Sequence, residues 1–192
     1  YYLGLPWASS GELKPTVVEI KNNTFKKDRN GVRVQKGNFT ITGNNFIDSP
    51  GIRYEGGNQE HQSGVYNFKI NNNYFIKQKG DNGSYNNVYA IQNIGTVDDN
   101  LELKDNTFCS KDRVALRLSN NRLARMQAGD NYWNTTNKTA IQRNMIFDHL
   151  IDLDVKRTIS YGVHNRDRNP NLSSELEQAC SAEAEGSDPE DA

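Results

Sequence analysis

The chain has 192 residues, enough for one domain, with 34% hydrophobic residues and a mean hydropathy of -0.86, low for a globule. Its 23 basic and 24 acidic residues leave a net charge of -1, which gives no general pull toward nucleic acid or an anionic membrane. No stretch approaches 18 consecutive apolar residues, so no segment reads as a membrane-spanning helix.

Residues 1–13 are aromatic and rich in Gly and Ser, and read as an edge segment. Tyr1, Tyr2 and Trp7 suit a packed edge better than a sugar platform. The opening Tyr1-Tyr2-Leu3-Gly4 carries neither a Met nor a charged stretch, and reads as the inside of a larger or processed protein.

From Lys14 onward one pattern recurs: apolar, any, apolar, any, any, Asn, any, aromatic. Its copies are Val18, Ile20, Asn23, Phe25; Phe39, Ile41, Asn44, Phe46; Phe68, Ile70, Asn73, Phe75; Leu101, Leu103, Asn106, Phe108; and Met126, Ala128, Asn131, Trp133. The leading apolar pair is two positions apart, which is strand periodicity with both side chains on one face. The intervening residues, such as Glu19 and Lys21 or Lys69 and Asn71, point outward. Asn sits where the strand must turn, because it tolerates left-handed backbone angles and its amide can bond nearby backbone. The closing aromatics lie 21, 29, 33 and 25 residues apart. A constant local pattern with uneven spacing predicts stacked turns of chain with variable loops, 58–64 and 77–87 among them. Stacking would place the five Asn residues in file as an amide ladder. The low hydrophobic content fits a narrow stack with a thin core.

A second pattern alternates with the first. Gly31-Val32-Arg33-Val34, Gly51-Ile52-Arg53-Tyr54, Ala90-Ile91-Gln92-Asn93 and Ala115-Leu116-Arg117-Leu118 each open on a small residue. The next and third residues face inward, except at Asn93. Tandem repetition makes strands of one type run the same way, so the sheets are expected to be parallel.

Beyond Trp133 the period changes. Ala140, Ile141, Met145, Ile146, Leu150 and Ile151 recur at helical spacing, and Thr139–Leu153 reads as a short helix capping the stack. Val155–Val163 reads as a final strand. Residues 165–192 are acidic and Ser-rich and read as a disordered tail, with a helical turn or two within Ser173–Ala182. The boundaries are thus 1–13 for the edge, 14–138 for the coils, 139–164 for the cap and 165–192 for the tail. Cys109 and Cys180 are too few for a disulfide framework. Either they pair and tie the tail to the last coils, or they are separate thiols.

The Asn-rich repeats from Lys14 to Ile151 resemble the right-handed parallel β-helix of the pectin-lyase-like superfamily. The last copy, Gly129-Asp130-Asn131-Tyr132-Trp133, is similar to the Asn-Tyr-Trp-Gly sequence that often ends such helices, with Asn134 in place of the Gly. The resemblance implies an all-β solenoid; at about 25 residues per coil the chain holds some six coils, with the short helix read above as their C-terminal cap. It implies no single activity, because that superfamily holds lyases, hydrolases, epimerases, adhesins and phage spikes.

The candidate binding residues are the outward column of the second strand, Arg33, Arg53, Gln92 and Arg117, flanked by Gln35, Glu55 and Arg113. Parallel strands about 4.8 Å apart would bring these groups together. Guanidinium groups engage carboxylates or sulfates bidentately, which suits an acidic glycan. The plainer reading is a solvated face of Glu/Arg pairs, each worth roughly 0 to 1 kcal/mol. Lyases of the resembled superfamily use an Arg or Lys base, often with calcium held by Asp or Glu. Arg53 or Arg117 fits that role, but Asp98-Asp99 lies on a turn where Asp is common for backbone reasons. Glu19 and Glu102 share a column position several coils apart, and Glu55 and Glu60 have nothing to mark them as a glycosidase pair. His61, His149 and His164 match no metal spacing, and no cofactor motif appears. Glycosylation sequons begin at Asn22, Asn38, Asn82, Asn134, Asn137 and Asn171, with Asn82 and Asn137 expected to be the most exposed.

Three functions follow as expectations. One is an extracellular or surface module contacting an acidic glycan or a neighbouring protein chain, without nucleic acid or membrane insertion. The second is a polysaccharide lyase or epimerase acting on uronates. The third is a structural rod that associates end to end.

Overall fold

The computed structural model describes residues 2–3, 17–35, 38–55, 67–78, 89–93, 100–110, 113–118, 126–148, 150–152, 158–166 and 169–185. β1 (Tyr2–Leu3) is followed by strands in recurring triplets. The first triplet is β2 (Val17–Lys21), β3 (Thr24–Lys26) and β4 (Val32–Gln35). Then come β5 (Asn38–Thr42), β6 (Asn45–Ile47) and β7 (Ile52–Glu55). The third is β8 (Asn67–Asn71), β9 (Tyr74–Ile76) and β10 (Ile91–Asn93). The fourth is β11 (Asn100–Lys104), β12 (Thr107–Phe108) and β13 (Leu116–Leu118). The chain ends with β14 (Met126–Asn131), the short helix α1 (Lys138–Ala140), β15 (Ile146–Phe147), β16 (Ile159–Val163) and α2 (Ser174–Glu185).

The protein is all-β in character, and every strand pairing among the described residues is parallel. Each strand pairs with its counterpart in the neighbouring triplet. One sheet runs β1-β4-β7-β10-β13-β15, a second β11-β8-β5-β2, a third β12-β9-β6-β3, and β14 pairs with β16. The register follows the sequence pattern: Val18, Phe39, Phe68 and Leu101 are successive partners, as are Phe25, Phe46, Phe75 and Phe108.

The inward residues make one core. Phe39, Ile41, Phe68, Ile70 and Leu103 of the second sheet meet Val32, Val34, Ile52, Tyr54, Ile91, Leu116 and Leu118 of the first. The closing aromatics stack in file, with ring centroids 4.8 Å apart for Phe25–Phe46, 5.0 Å for Phe46–Phe75, 5.4 Å for Phe75–Phe108 and 4.8 Å for Phe108–Trp133. These spacings are near the strand separation, so the sheet register alone brings the rings into contact.

The turn between second-sheet and third-sheet strands explains the Asn pattern. Asn22, Gly43, Asn72 and Asp105 occupy the corner with φ of 56°, 66°, 54° and 57°, a region open to Gly, Asn and Asp. The next residue begins the ladder. Asn23, Asn44, Asn73 and Asn106 each donate from both Nδ2 and the backbone N to Oδ1 of the next Asn, at 3.0–3.1 Å, as far as Asn131. Their Nδ2 groups also bond strand carbonyls, as Asn73 does with Ile41 O at 2.9 Å and Asn71 O at 3.1 Å.

The C-terminal third differs from expectation in two places. The helix expected over Thr139–Leu153 is confined to α1 and a wider π-type turn, Ile141–Met145, after which β15 joins the first sheet. Met145 O accepts from Ala115 N at 2.8 Å, so the sheet edge draws this segment into strand pairing. The acidic tail contains α2, twelve residues long, and residues 186–192 lie outside the described ones. Cys109 and Cys180 form a disulfide, which fixes the pairing that the sequence left open.

Candidate functional site

The expected column lies on the first sheet. Arg33 of β4 is in register with Arg53 of β7, Arg53 with Gln92 of β10, and Gln92 with Arg117 of β13. Tyr2 precedes the file and Phe147 ends it. Their neighbours along each strand, Val32 and Val34, Ile52 and Tyr54, Ile91 and Asn93, Leu116 and Leu118, are buried. Strand alternation therefore turns the column away from the core, and all four members are half-buried. Adjacent members are about one strand spacing, ~4.8 Å, apart along the sheet.

The column is not uniform. The Arg117 guanidinium lies 4.3 Å from the centre of the Phe147 ring, a cation–π contact. Burial lowers its pKa, while Asp152 and Tyr89 favour the charged form. Arg33 and Arg53 are both engaged in contacts within the protein. Gln35 and Glu55 pair in register at the strand ends, and their side chains lie outside the described residues. Arg113 sends its Nη1 to Gln78 O at 3.0 Å, so that part of its guanidinium is committed to backbone.

Among the described residues, Glu19 and Glu102 are not neighbours. Glu19, Thr40, Lys69 and Glu102 form one file on the second sheet, with Glu19 and Glu102 at its two ends. Glu19 pairs with Lys21 at 2.7 Å. Glu102 meets Lys104 at 3.2 Å, Lys69 at 3.7 Å and Asn71 Nδ2 at 2.7 Å. The hydrogen bond from Lys104 is the main cause holding the Glu102 carboxyl below its ordinary pKa, with Asn71 and Lys69 adding to it against some desolvation. Glu60, His61, Asn82, Asp98, Asp99 and His149 lie outside the described residues. Among the described residues no group of three or more His, Cys, Asp or Glu is arranged to hold a metal ion. Of the sequons, Asn134 is buried with its amide on Cys109 O at 2.9 Å, and Asn137 Oδ1 caps α1 through Thr139 N and Ala140 N.

One arrangement escaped the sequence reading. Ile47, Ile76 and Cys109 each follow a closing aromatic, so strand alternation turns them out of the main core. They gather instead with Leu176, Ala179 and Cys180 of α2 in a second apolar cluster. The signal was present: the residue after the aromatic is Lys26 in the first copy but Ile, Ile and Cys in the next three. An outward apolar file needs a cover. His164 Nε2 also meets Asp105 Oδ1 at 3.0 Å, and its ring stacks on Tyr132 at 4.0 Å. An open polar hollow of about 540 Å³, lined by Thr136, Asn165, Arg166, Asn169, Leu172 and Glu177 among others, shares no residue with the arginine column.

Compared with protein-family models, with curated proteins and with solved structures, the chain matches none.

Proposed function

We propose that the chain is a right-handed parallel β-helix of about six coils, related to the pectin-lyase-like superfamily, and that it acts as an extracellular or surface module whose first-sheet column contacts an acidic polysaccharide. The winding is supported by like-with-like parallel pairing between triplets and by the hydrogen-bonded file from Asn23 to Asn131. The binding reading rests on one observation: Arg33, Arg53, Gln92 and Arg117 are successive register partners on one outward face. Three cations and an amide in a row suit a chain of carboxylates, since each Arg presents a fork of donors. The Cys109–Cys180 disulfide is compatible with an oxidising compartment.

The test is binding of polygalacturonate at low and high salt. Arg53→Ala is expected to weaken binding by about tenfold, and salt to weaken it further, because surface charges are screened. Unchanged binding in that variant removes the column from the reading. A second reading, β-elimination on uronates, takes Arg117 as its candidate base, a half-buried guanidinium held against the Phe147 ring at the end of the column. Absorbance of the unsaturated product separates the two: binding without product favours the module, and product lost in Arg117→Ala favours the lyase.

A further inference from the structure

Beyond the glycan reading, we propose that the C-terminal segment is a redox-releasable strap. Reduction of Cys109–Cys180 frees α2 from the outside of the third sheet while the stacked core stays folded.

The segment retraces the stack from the last strand backward. His164 anchors on Asp105 and Tyr132. Asn169 Nδ2 bonds Thr107 Oγ1 at 3.1 Å. Cys180 is joined to Cys109, and Leu176 and Ala179 pack toward Ile76 and Ile47. In a stack of repeats each unit touches only its neighbours, so stability is transmitted one interface at a time. This segment links units that are not paired with each other, from β16 back to β9.

The attachment of α2 is narrow. Among its described side chains the apolar contribution is Leu176, Ala179 and Cys180, whereas Ser174, Glu175, Glu177, Gln178 and Ala182 are exposed. A helix of 12 residues is marginal in water without tertiary contacts. The disulfide closes a separation of 71 residues, so cutting it restores a large freedom to the segment. Both half-cystines are buried, Cys109 at 0% and Cys180 at 4% exposure, so a reductant reaches them only after α2 lifts.

The chemistry is thiol–disulfide exchange with a dithiol. One reductant thiolate attacks a cystine sulfur, breaking the S–S bond and forming a mixed disulfide. The second reductant thiol displaces the remaining protein sulfur. Two electrons pass to the cystine, Cys109 and Cys180 end as thiols carrying the reductant's protons, and the reductant ends as a disulfide. Release uncovers Ile47 and Ile76 and leaves the amide ladder, on another corner of the stack, intact.

Hydrogen exchange with mass spectrometry on the full chain, with and without dithiothreitol, tests this. On reduction, amides of α2 are expected to exchange about 100-fold faster, while Phe39–Ile41 and Phe68–Ile70 change by less than about threefold. Persistent protection of α2 overturns the proposal, and so does loss of protection in the strands alongside it. Cys180→Ser should reproduce the reduced pattern; should that variant fail to fold, the reduced native chain decides. Leu176→Ser should speed reduction of the native disulfide by about tenfold, because α2 lifts more often. An unchanged rate overturns the gating by α2.

Discussion

Asn73 shows what the ladder demands of a single side chain. It is fully buried, accepts from Asn44 N and Nδ2 at 3.1 and 3.0 Å, and donates to Ile41 O, Asn71 O and Asn106 Oδ1. Asn73→Ala removes all of these at once and leaves the buried Asn44 N without its acceptor, whereas Asn44 Nδ2 keeps Ile20 O at 2.8 Å and Thr42 O at 3.1 Å. At roughly 1–3 kcal/mol per buried orphan, the loss should be about 3–5 kcal/mol in urea unfolding. Asn23→Ala, at an exposed end of the file, should cost about 1 kcal/mol or less. Equal losses would show that the file is not what the turns depend on. Glu102 gives a pH prediction of known sign. Its carboxyl is held below the ordinary value of 4.5, chiefly by the Lys104 hydrogen bond. Its contribution is therefore present above the unfolded value and lost as pH falls through the folded one. A titration followed by NMR should place its midpoint below 4.5, and Lys104→Ala should move it up. The site is largely solvated, so 0.5 M salt should shrink the shift, as screening at roughly a 4 Å Debye length requires.

The strands of the first sheet open on small residues for a steric reason. A Cβ on Gly51 would run into the backbone carbonyl of Ala90, and one on Gly31 into the carbonyl of Gly51. Those carbonyls are in use: Gly51 O accepts from Val32 N at 3.0 Å and Ala90 O from Ile52 N at 2.7 Å. Gly51→Ala must push adjacent repeats apart at a bonded position, and a loss of about 1–3 kcal/mol is expected from thermal or urea unfolding. A neutral outcome would mean the strand openings can slide. The same element scale shows what sequence could and could not tell. Strands with apolar residues two apart and a fixed Asn were legible, because alternation and turn chemistry are local. The segment around Met145 was not. Its helical spacing is real, yet Met145 O and Ile146 are taken by Ala115 N and Leu116. Buried Asp148 then bonds Leu150 N at 2.9 Å and Ile159 N at 2.7 Å, leaving Leu150 and Ile151 63% and 48% exposed. Pairing with an open sheet edge outweighed a weak local preference.

At the scale of the molecule, the column's membership was legible because register follows from tandem repetition, whereas the strap was legible only as one of two alternatives for Cys109 and Cys180, because partners such as Asp105 for His164, 59 residues away, leave no local pattern. The outward file of Ile47, Ile76 and Cys109 was a further hint of a cover there. The strap also makes the two ends of the stack unequal. Among the described residues the apolar cluster it joins extends back to Ile47 on β6 and includes no residue of β2 or β3. Among the described residues β2 and β3 stand at the edges of their sheets. Along β2 residues alternate between exposed and half-buried, whereas along β5 they alternate between half-buried and buried. Val17 is 61% exposed, and Phe25 is only partly covered where Phe46 is fully buried. Opening that end gives up one interface and little apolar burial, whereas opening the middle breaks two interfaces and lifts the strap. Amides of Val17–Lys26 should therefore exchange roughly 10–100-fold faster than those of Asn67–Ile76, measured by mass spectrometry in the oxidised protein. Uniform exchange across both stretches would mean the stack opens only as a whole. In that case end-fraying, the behaviour expected of nearest-neighbour repeats, does not describe this chain.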